Sequence, residues 1–365
     1  MKILNICTVN LEKNGIATCI LNYFEQIASK KYIFDIVAPN LVSKDNKEII
    51  SNKNMSLYEL PYRKKSPFRY FIELRKLIKR KKYDIVHVHG NSCTIAIELL
   101  AAKLAGCKIR IAHSHNTTCE HQKVHKILRP IFEITCNVRF ACGEEAGKWL
   151  FNDKSFYIIK NGVDLKNYKK NKAIRERIRK LYNINDKTVL LGHVGIFNYQ
   201  KNHEYLIEIM KILNNKEKGN KYKLICIGEG ENQEYIKNII SENKLEQKVI
   251  LTGNINNVAD YLQAIDYFLL PSRYEGVPYV LIEAQAAGVH CLVSENVSRE
   301  VAVTDLVNFL SLNNLELWIK EIILEKKNID DYSNKIKQCG FDIVTNAENL
   351  KSIYIDLYKK NKSKY

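Results

Sequence analysis

The sequence has no CxxC pair and no compact cysteine framework; its ten cysteines (Cys7, Cys19, Cys93, Cys107, Cys119, Cys136, Cys142, Cys226, Cys291 and Cys339) are scattered singly. That argues against a disulfide scaffold or a zinc site. Several of the thiols sit among apolar residues, as in "NICTVN" and "KLICIG", where a thiol behaves as a small hydrophobe. The pattern is that of a reducing cytosol. Long hydrophobic runs are missing too. The longest, "TIAIELLAAKLAG", carries Glu98 and Lys103 and is too short to span a bilayer. At the amino terminus "MKILNICTVN" gives way to "LEKNG" after a few apolar residues, so it reads as a first buried strand and not as a secretory signal.

Negative charge is also scarce, with 40 Asp and Glu against 57 Lys and Arg and a net charge of +17. The excess is concentrated in "YRKKSPFRYFIELRKLIKRKKYD" (62–84), which holds Arg63, Lys64, Lys65, Arg69, Arg75, Lys76, Lys79, Arg80, Lys81 and Lys82. Such a surface attracts phosphates, whether of nucleic acid or of an anionic lipid leaflet. Phe68, Phe71, Ile72, Leu74, Leu77 and Ile78 are expected to form one face of this helix. A basic amphipathic helix favours a membrane surface, and an ordinary solvated face is the competing reading. Arg69, Arg75, Lys76, Lys79 and Arg80 are the candidates for a membrane or acceptor surface, and with no nucleic-acid module in the chain no nucleic-acid partner is expected.

What is present suffices for a large core: 365 residues, 46% of them apolar, exceed one hydrophobic core, so two domains are expected. The first part alternates short β-branched runs with helical patterns: "KILNIC", "IATCILNYFEQIAS", "FDIVAP", the basic helix, "DIVHVH", "IAIELLAAKLAG", "IRIAHSH". A second such series starts at "KTVLLGHVG" and runs through "KLICIGEG" to "VLIEAQAAG". Strand, helix, strand in that order implies parallel strands with crossover helices. The fold class is therefore α/β, two Rossmann-like doubly wound parallel-sheet domains facing across a cleft, with the active site expected at the cleft. The turn at Asn161-Gly162 and the polar, basic stretch after it mark a linker near residue 163. The expected domains are 1–163 and 164–345, and the amphipathic tail 346–365 is a helix able to pack back on the first.

One stretch of the second series, "RYEGVPYVLIEAQAAG" (273–288), keeps two carboxylates in apolar surroundings. "YFLLPS" reads as a buried strand, Gly276 as the residue of a tight turn, and Pro278 as the first residue of a helix ending near Gly288. Glu275 then lies before the helix and Glu283 inside it. The N–H groups of Gly276 and Val277, with the positive end of the helix dipole, make a seat for a phosphate or sugar hydroxyl, and carboxylates beside it can accept from hydroxyls. On the residues alone, a solvated Glu275 and an ordinary polar-face Glu283 remain an open alternative.

"PSRYEGVPYVLIEAQAAG" resembles the E-x7-E signature of the retaining GT-B glycosyltransferases. The resemblance continues, in the family's order, through "GIATCILNYFEQI", "YDIVHVHG", "RIAHSHNT", "IKNGVD", "GIFNYQKNHEYLI" and "CIGEGEN", and is nearest to enzymes of bacterial capsule and exopolysaccharide assembly. It implies transfer of a hexose from a nucleoside diphosphate sugar, with a UDP-sugar expected, to a glycan or lipid-linked acceptor with retention of configuration. The first domain would bind acceptor and the second donor. By the resemblance Glu283 is the ribose ligand, Glu275 a contact to the donor sugar, Lys201 the partner of the donor diphosphate, and His115 the active-site histidine near the sugar. Asn198, and Asn14 and Gly15 in a turn the family fills with glycines, join the donor-binding set, as does Glu229 in "GEGE", a strand end bordering the base. That segment lacks the third glycine of a dinucleotide fingerprint, which argues against NAD. The family usually has an arginine after Gly195, where this chain has Ile196; Arg273 is a candidate replacement.

The histidines fall as His87 and His89, then His113 and His115, each pair on one face of its strand; His121 and His125 follow. A metal site there is conceivable, with a satisfied core histidine the preferred reading of His113. Glycosyltransferases that hold diphosphate through a metal usually carry Asp-x-Asp, which occurs nowhere in this chain, so no metal and no other cofactor is expected. The expected location is cytoplasmic, peripheral at the inner membrane face. The alternatives are a non-catalytic sugar-nucleotide-binding homologue supporting a partner enzyme, a GT-B sugar nucleotide epimerase, and a nucleic-acid-binding protein.

Overall fold

The computed structural model describes residues 1–12, 14–29, 31–38, 41–52, 55–216, 221–324 and 332–363. It divides into two compact units, Met1–Gly162 together with the chain from Ile343 on, and Val163–Asp342.

The first unit is a seven-stranded parallel sheet made of β1 (Lys2–Cys7), β2 (Ile33–Ala38), β3 (Ser56–Glu59), β4 (Ile85–Gly90), β5 (Ile109–Ser114), β6 (Val138–Ala141) and β7 (Tyr157–Ile158), in the order β3-β2-β1-β4-β5-β6-β7. The direction of winding reverses between β1 and β4. Its central strands are buried on both faces, which is why "KILNIC" and "DIVHVH" read as near-continuous runs instead of alternating ones. One face carries Leu4, Ile6, Val86, Val88 and Ala112 against the helices Pro67–Lys81, Ala96–Leu104 and Gln122–Thr135. These three helices connect successive strands from β3 to β6 and lie side by side, as same-handed crossovers require.

The opposite face carries Asn5, His87, His89 and His113, covered by the helix Gly15–Ile27 and by the carboxyl-terminal helix Ile343–Lys362. Tyr354 of that last helix is buried at 1% exposure and lies 2.6 Å from His87 Nδ1. The helix begins three residues before the expected 346, and the last two residues of the tail lie outside the described residues.

Two features of this unit differ from expectation. The basic helix starts with Pro67 at its first position and stops at Lys82 in a left-handed conformation (φ 52°). It turns Tyr70, Leu74, Leu77 and Ile78 inward while Phe68 and Ile72 remain exposed, so the apolar residues assigned to one face divide between core and surface. The segment Gln122–Thr135, not anticipated as an element, is an amphipathic helix that buries Phe132 and His125.

The second unit is a six-stranded parallel sheet of β8 (Val189–Val194), β9 (Tyr222–Ile227), β10 (Val249–Leu251), β11 (Tyr267–Leu270), β12 (His290–Ser294) and β13 (Val307–Leu310), in the order β10-β9-β8-β11-β12-β13. It reverses between β8 and β11. Its core joins Leu191, Leu224 and Leu269 of the sheet to Leu206, Met210 and Trp318 of the helices. The polar stretch read as a linker contains a 3-10 turn, Leu165–Tyr168, and a helix, Lys172–Leu181. Arg175 and Arg179 of that helix both pair with Asp266, at 2.6 and 3.1 Å, which fastens it to this unit's sheet.

Candidate active site

In the second unit the loops after β9, β8 and β11 are joined edge to edge at the carboxyl end of the sheet. Gly195 N–H donates to Ile227 O at 3.0 Å and Phe197 N–H to Glu229 O at 3.0 Å. A Cβ on Gly228 (φ +133°) would meet Gly195 O at 2.2 Å, and one on Gly230 would meet Phe197 O at 2.5 Å. The two glycines of "GEGE" are thus required by the approach of one loop backbone to the other. On the other side Asn202 Nδ2 donates to Pro271 O at 3.1 Å, Arg273 N–H to Gln200 O at 2.8 Å and Gln200 Nε2 to Tyr274 O at 3.0 Å. These contacts fix the loops at the point where the strand order reverses, which is where open α/β sheets bind ligands.

Lys201 and Glu275 meet there. Lys201 Nζ lies 2.6 Å from Glu275 Oε1, with 15% and 10% of the two side chains exposed. Ser272 Oγ also donates to that oxygen, at 3.3 Å. Glu275 is held from behind as well, its carbonyl accepting from Ser298 N–H at 3.2 Å. Asn198 Oδ1 accepts from Lys201 N–H at 3.1 Å, and Lys201 lies so close over Gly195 that a Cβ there would be 3.0 Å from its Cδ. Beneath the lysine are two buried histidines, His193 and His203, with ring centroids 4.7 Å apart. Burial first, and Lys201 in addition, hold their basicity down, to about 3 for His193 and about 2 for His203. Both are neutral, so Lys201 is the cation of this corner.

Glu283 lies in the helix Tyr279–Ala286, which closes with Gly288 in the left-handed region (φ 72°) and Val289 N–H bonded to Ala284 O at 3.0 Å. Tyr168 Oη donates to Glu283 Oε1 at 2.8 Å. Burial raises the Glu283 carboxyl above the usual carboxylate range, and the Tyr168 hydrogen bond opposes that rise. Pro278 stands just before the helix instead of opening it, and Gly276 is not among the glycines with positive φ, so the turn between the two glutamates does not use a left-handed glycine.

The remaining expected residues of this unit separate. Glu229 is exposed and accepts from Asn254 Nδ2 at 2.9 Å. Ile196 is 39% exposed. Arg273 is held by Glu204 at 3.1 Å and stacks on Tyr199 at 4.3 Å, so its charge is already matched. Tyr168, Ser272, His193 and His203 carry no signal of their own in the sequence. His203, two residues after Lys201 in "KNHEY", at least lies beside a residue that the resemblance picks out.

In the first unit Asn14 caps the helix Gly15–Ile27: its Oδ1 accepts from Ala17 N–H at 3.0 Å and its Nδ2 donates to Asn10 O at 2.7 Å. Both ends of the Asn14 amide therefore serve the local fold. A Cβ on Gly15 would meet nothing within 4 Å, so the space above this helix start is open. Four imidazoles line the sheet below. His87 Nε2 lies 3.1 Å from His113 Nδ1, His89 Nδ1 lies 3.0 Å from His115 Nε2, and His89 Nε2 lies 3.2 Å from Asn5 Oδ1. Burial keeps His87, His89 and His113 neutral and lowers His115 to about 3. His113 Nε2 is buried without a hydrogen-bond partner, so the expectation of a satisfied core histidine fails at that atom. His125 stands apart, accepting from Cys93 N–H at 3.2 Å and stacking on Trp149.

Comparisons with known proteins identify the family and the fold. A model described as glycosyl transferases group 1 matches residues 174–339, and one described as glycosyltransferase family 4 matches residues 13–167. The UDP-Gal:alpha-D-GlcNAc-diphosphoundecaprenol alpha-1,3-galactosyltransferase of Escherichia coli is 30% identical over 306 residues, covering 78% of this chain and 79% of its own. The chain belongs to the group 1 glycosyltransferases. The putative glycosyltransferase EpsF of Bacillus subtilis is 27% identical over 94% of both chains. Among solved structures, Anabaena HepE in complex with UDP and glucose superposes with a TM-score of 0.80 at 15% identity, over 97% of this chain and 99% of its own, which shows the shared GT-B fold.

The surface of this glycosyltransferase holds one further feature. Arg69, Arg75, Lys76, Lys79 and Arg80 are all exposed on the basic helix. On the helix Gln122–Thr135, next but one to it, Val124, Ile127, Ile131 and Ile134 are 44%, 73%, 36% and 66% exposed at helical spacing, with Lys123 and Lys126 exposed among them. No helix among the described residues is long and apolar enough to cross a membrane.

The Lys201–Glu275 pair generates a stability prediction. Lys201→Met leaves a largely buried carboxylate without its cation and is expected to cost about 3 kcal/mol, whereas Lys201→Met combined with Glu275→Gln recovers most of that loss. Urea unfolding followed by a probe in the second unit reads it. A double variant no more stable than Lys201→Met would show that the two side chains are not coupled.

Proposed function

We propose that the protein transfers a hexose from a UDP-sugar, with retention, to a glycan or lipid-linked acceptor in bacterial surface polysaccharide assembly. The observation that carries this reading is the Lys201–Glu275 pair at the strand-order reversal of the second unit, in a chain of the group 1 family. Three donors on one ammonium let Lys201 hold Glu275 and a diphosphate oxygen together. Charge builds on that diphosphate as the glycosidic bond breaks, so a cation fixed beside it stabilises the transition state more than the ground state.

Glu275, neutralised by Lys201, is a weak nucleophile and acts as an acceptor for sugar hydroxyls. The departing diphosphate takes the acceptor's proton on the face it leaves. Glu283 keeps one oxygen on Tyr168 and offers the other to a ribose hydroxyl. His115 serves the reacting sugar, and the first unit binds the acceptor. No metal is assigned to the diphosphate, on the ground that the chain has no Asp-x-Asp motif.

The relatives' names support the polysaccharide role, one being a transferase that acts on a diphosphoundecaprenol. A lipid-linked acceptor suits the exposed cations of the basic helix and the apolar stripe of Gln122–Thr135, which together fit an anionic membrane surface. A non-catalytic, sugar-nucleotide-binding role is the second reading, favoured by the single observation that Ile196 stands where the resemblance expects an arginine.

Four outcomes are expected. With donor saturating, Lys201→Ala lowers turnover of a UDP-sugar by about 10²- to 10³-fold, and wild-type turnover in that variant overturns the leaving-group role. Glu283→Ala weakens UDP binding by about 10- to 150-fold in calorimetry. Because the Glu283 carboxyl is shifted upward and must be ionised to accept, UDP affinity also falls with decreasing pH sooner than an ordinary carboxylate would dictate; a folded variant with unchanged affinity removes Glu283 from the site. Flotation with anionic vesicles recovers the protein and neutral vesicles do not, and Lys76→Ala, Lys79→Ala and Arg80→Ala together weaken recovery by about 1 kcal/mol per cation. Equal flotation on neutral lipid would contradict the charge argument.

A further inference from the structure

We propose that the first unit holds a site for a zinc-like divalent ion, formed by Cys19, His89 and His115, and that occupation of it inhibits the enzyme. These residues are far apart in the chain, which is why cysteine spacing argued against zinc. The fold brings them together: Cys19 on the helix over the sheet, His89 at the end of β4 and His115 one residue beyond β5 place one ligand atom each within 4.8 Å of one another.

The facing nitrogens His89 Nδ1 and His115 Nε2 are 3.0 Å apart. Tetrahedral zinc with its usual bond lengths needs about 3.3 Å between two nitrogens and about 3.6 Å between nitrogen and sulfur, so small side-chain shifts close the triangle. Asn5 Oδ1 takes the Nε2–H of His89, which leaves its Nδ1 lone pair facing His115. This is the outer partner that metal-bound histidines usually have. A cavity of about 20 Å³, room for one water-sized occupant, is lined by Cys19, Asn5 and His89, together with His87 and His113, and not by His115.

Two neutral imidazoles and a sulfur favour zinc over magnesium or manganese, which take oxygen donors. On binding, Cys19 gives up its thiol proton to solvent, and His115, whose Nε2–H donates to His89 Nδ1 when the ion is absent, changes tautomer so that its proton sits on Nδ1 and its Nε2 lone pair is free for the ion. The neighbouring group His87, His89 and His113 has similar spacing but is buried on all three members, whereas His115 is partly exposed and gives the ion a way in. Inhibition rests on the proposed role of His115 at the reacting sugar: an ion bound to its ring takes a lone pair and the space beside it. Ion binding itself does not depend on that role.

Reduced, chelator-treated full-length protein is titrated with Co²⁺ alone and then with Zn²⁺. One equivalent of Co²⁺ is expected to give a thiolate-to-cobalt charge-transfer absorption that Zn²⁺ abolishes, and Cys19→Ser and Cys19→Ala are expected to lose the band. Both variants should keep wild-type basal turnover of a UDP-sugar while losing at least tenfold in sensitivity to Zn²⁺. Absence of the band in wild type, or its persistence in folded Cys19 variants through other thiols, overturns the site. A band without zinc inhibition leaves the site standing and overturns only the inhibitory role, and if no UDP-sugar is turned over at all the absorption still decides the site.

Discussion

An ammonium and a carboxylate 2.6 Å apart, each mostly withdrawn from water, organise the second unit's ligand end. Two charges at that depth are costly unless matched, so the loops after β8 and β11 must arrive in register. The backbone contacts between those loops, from Asn202 to Pro271 and from Arg273 to Gln200, supply that register. The histidines below Lys201 are kept neutral by their burial and, in addition, by the lysine's own charge. In the proposed transfer, the Lys201 ammonium is the fixed positive charge beside the departing diphosphate.

Much of the fold was legible in sequence because parallel strands buried on both faces leave continuous β-branched runs. "KILNIC", "DIVHVH" and "KTVLLGHVG" became β1, β4 and β8 with only end residues shifted. The helix Gln122–Thr135 escaped because Pro130 lies inside it, where a proline argues against a helix, and its apolar stripe faces outward. The basic helix was visible, but its apolar residues could not be sorted into core and surface without knowing which side meets the sheet.

The candidate site was legible in part. The spacing of Glu275 and Glu283 pointed to one ligand, and the resemblance added Lys201, but nothing in the spacing said that Lys201 pairs with Glu275. Tyr168 comes from more than a hundred residues away in the chain, so no local pattern could join it to Glu283. Asn14 shows the opposite case, a residue chosen for ligand contact whose amide is occupied by a helix cap and a loop carbonyl. The glycines of "GEGE" likewise serve loop packing, a role that becomes visible only when Gly195 and Phe197 are seen against them.

The central claim is that the diphosphate, steadied by Lys201, leaves and accepts the incoming proton on one face of the sugar, with Glu275 forming no bond to it. Proton NMR of the sugar first released from a UDP-sugar, with water as the acceptor, tests this without knowledge of the natural acceptor. The account predicts the same anomer as the donor, ahead of mutarotation; the opposite anomer would contradict it.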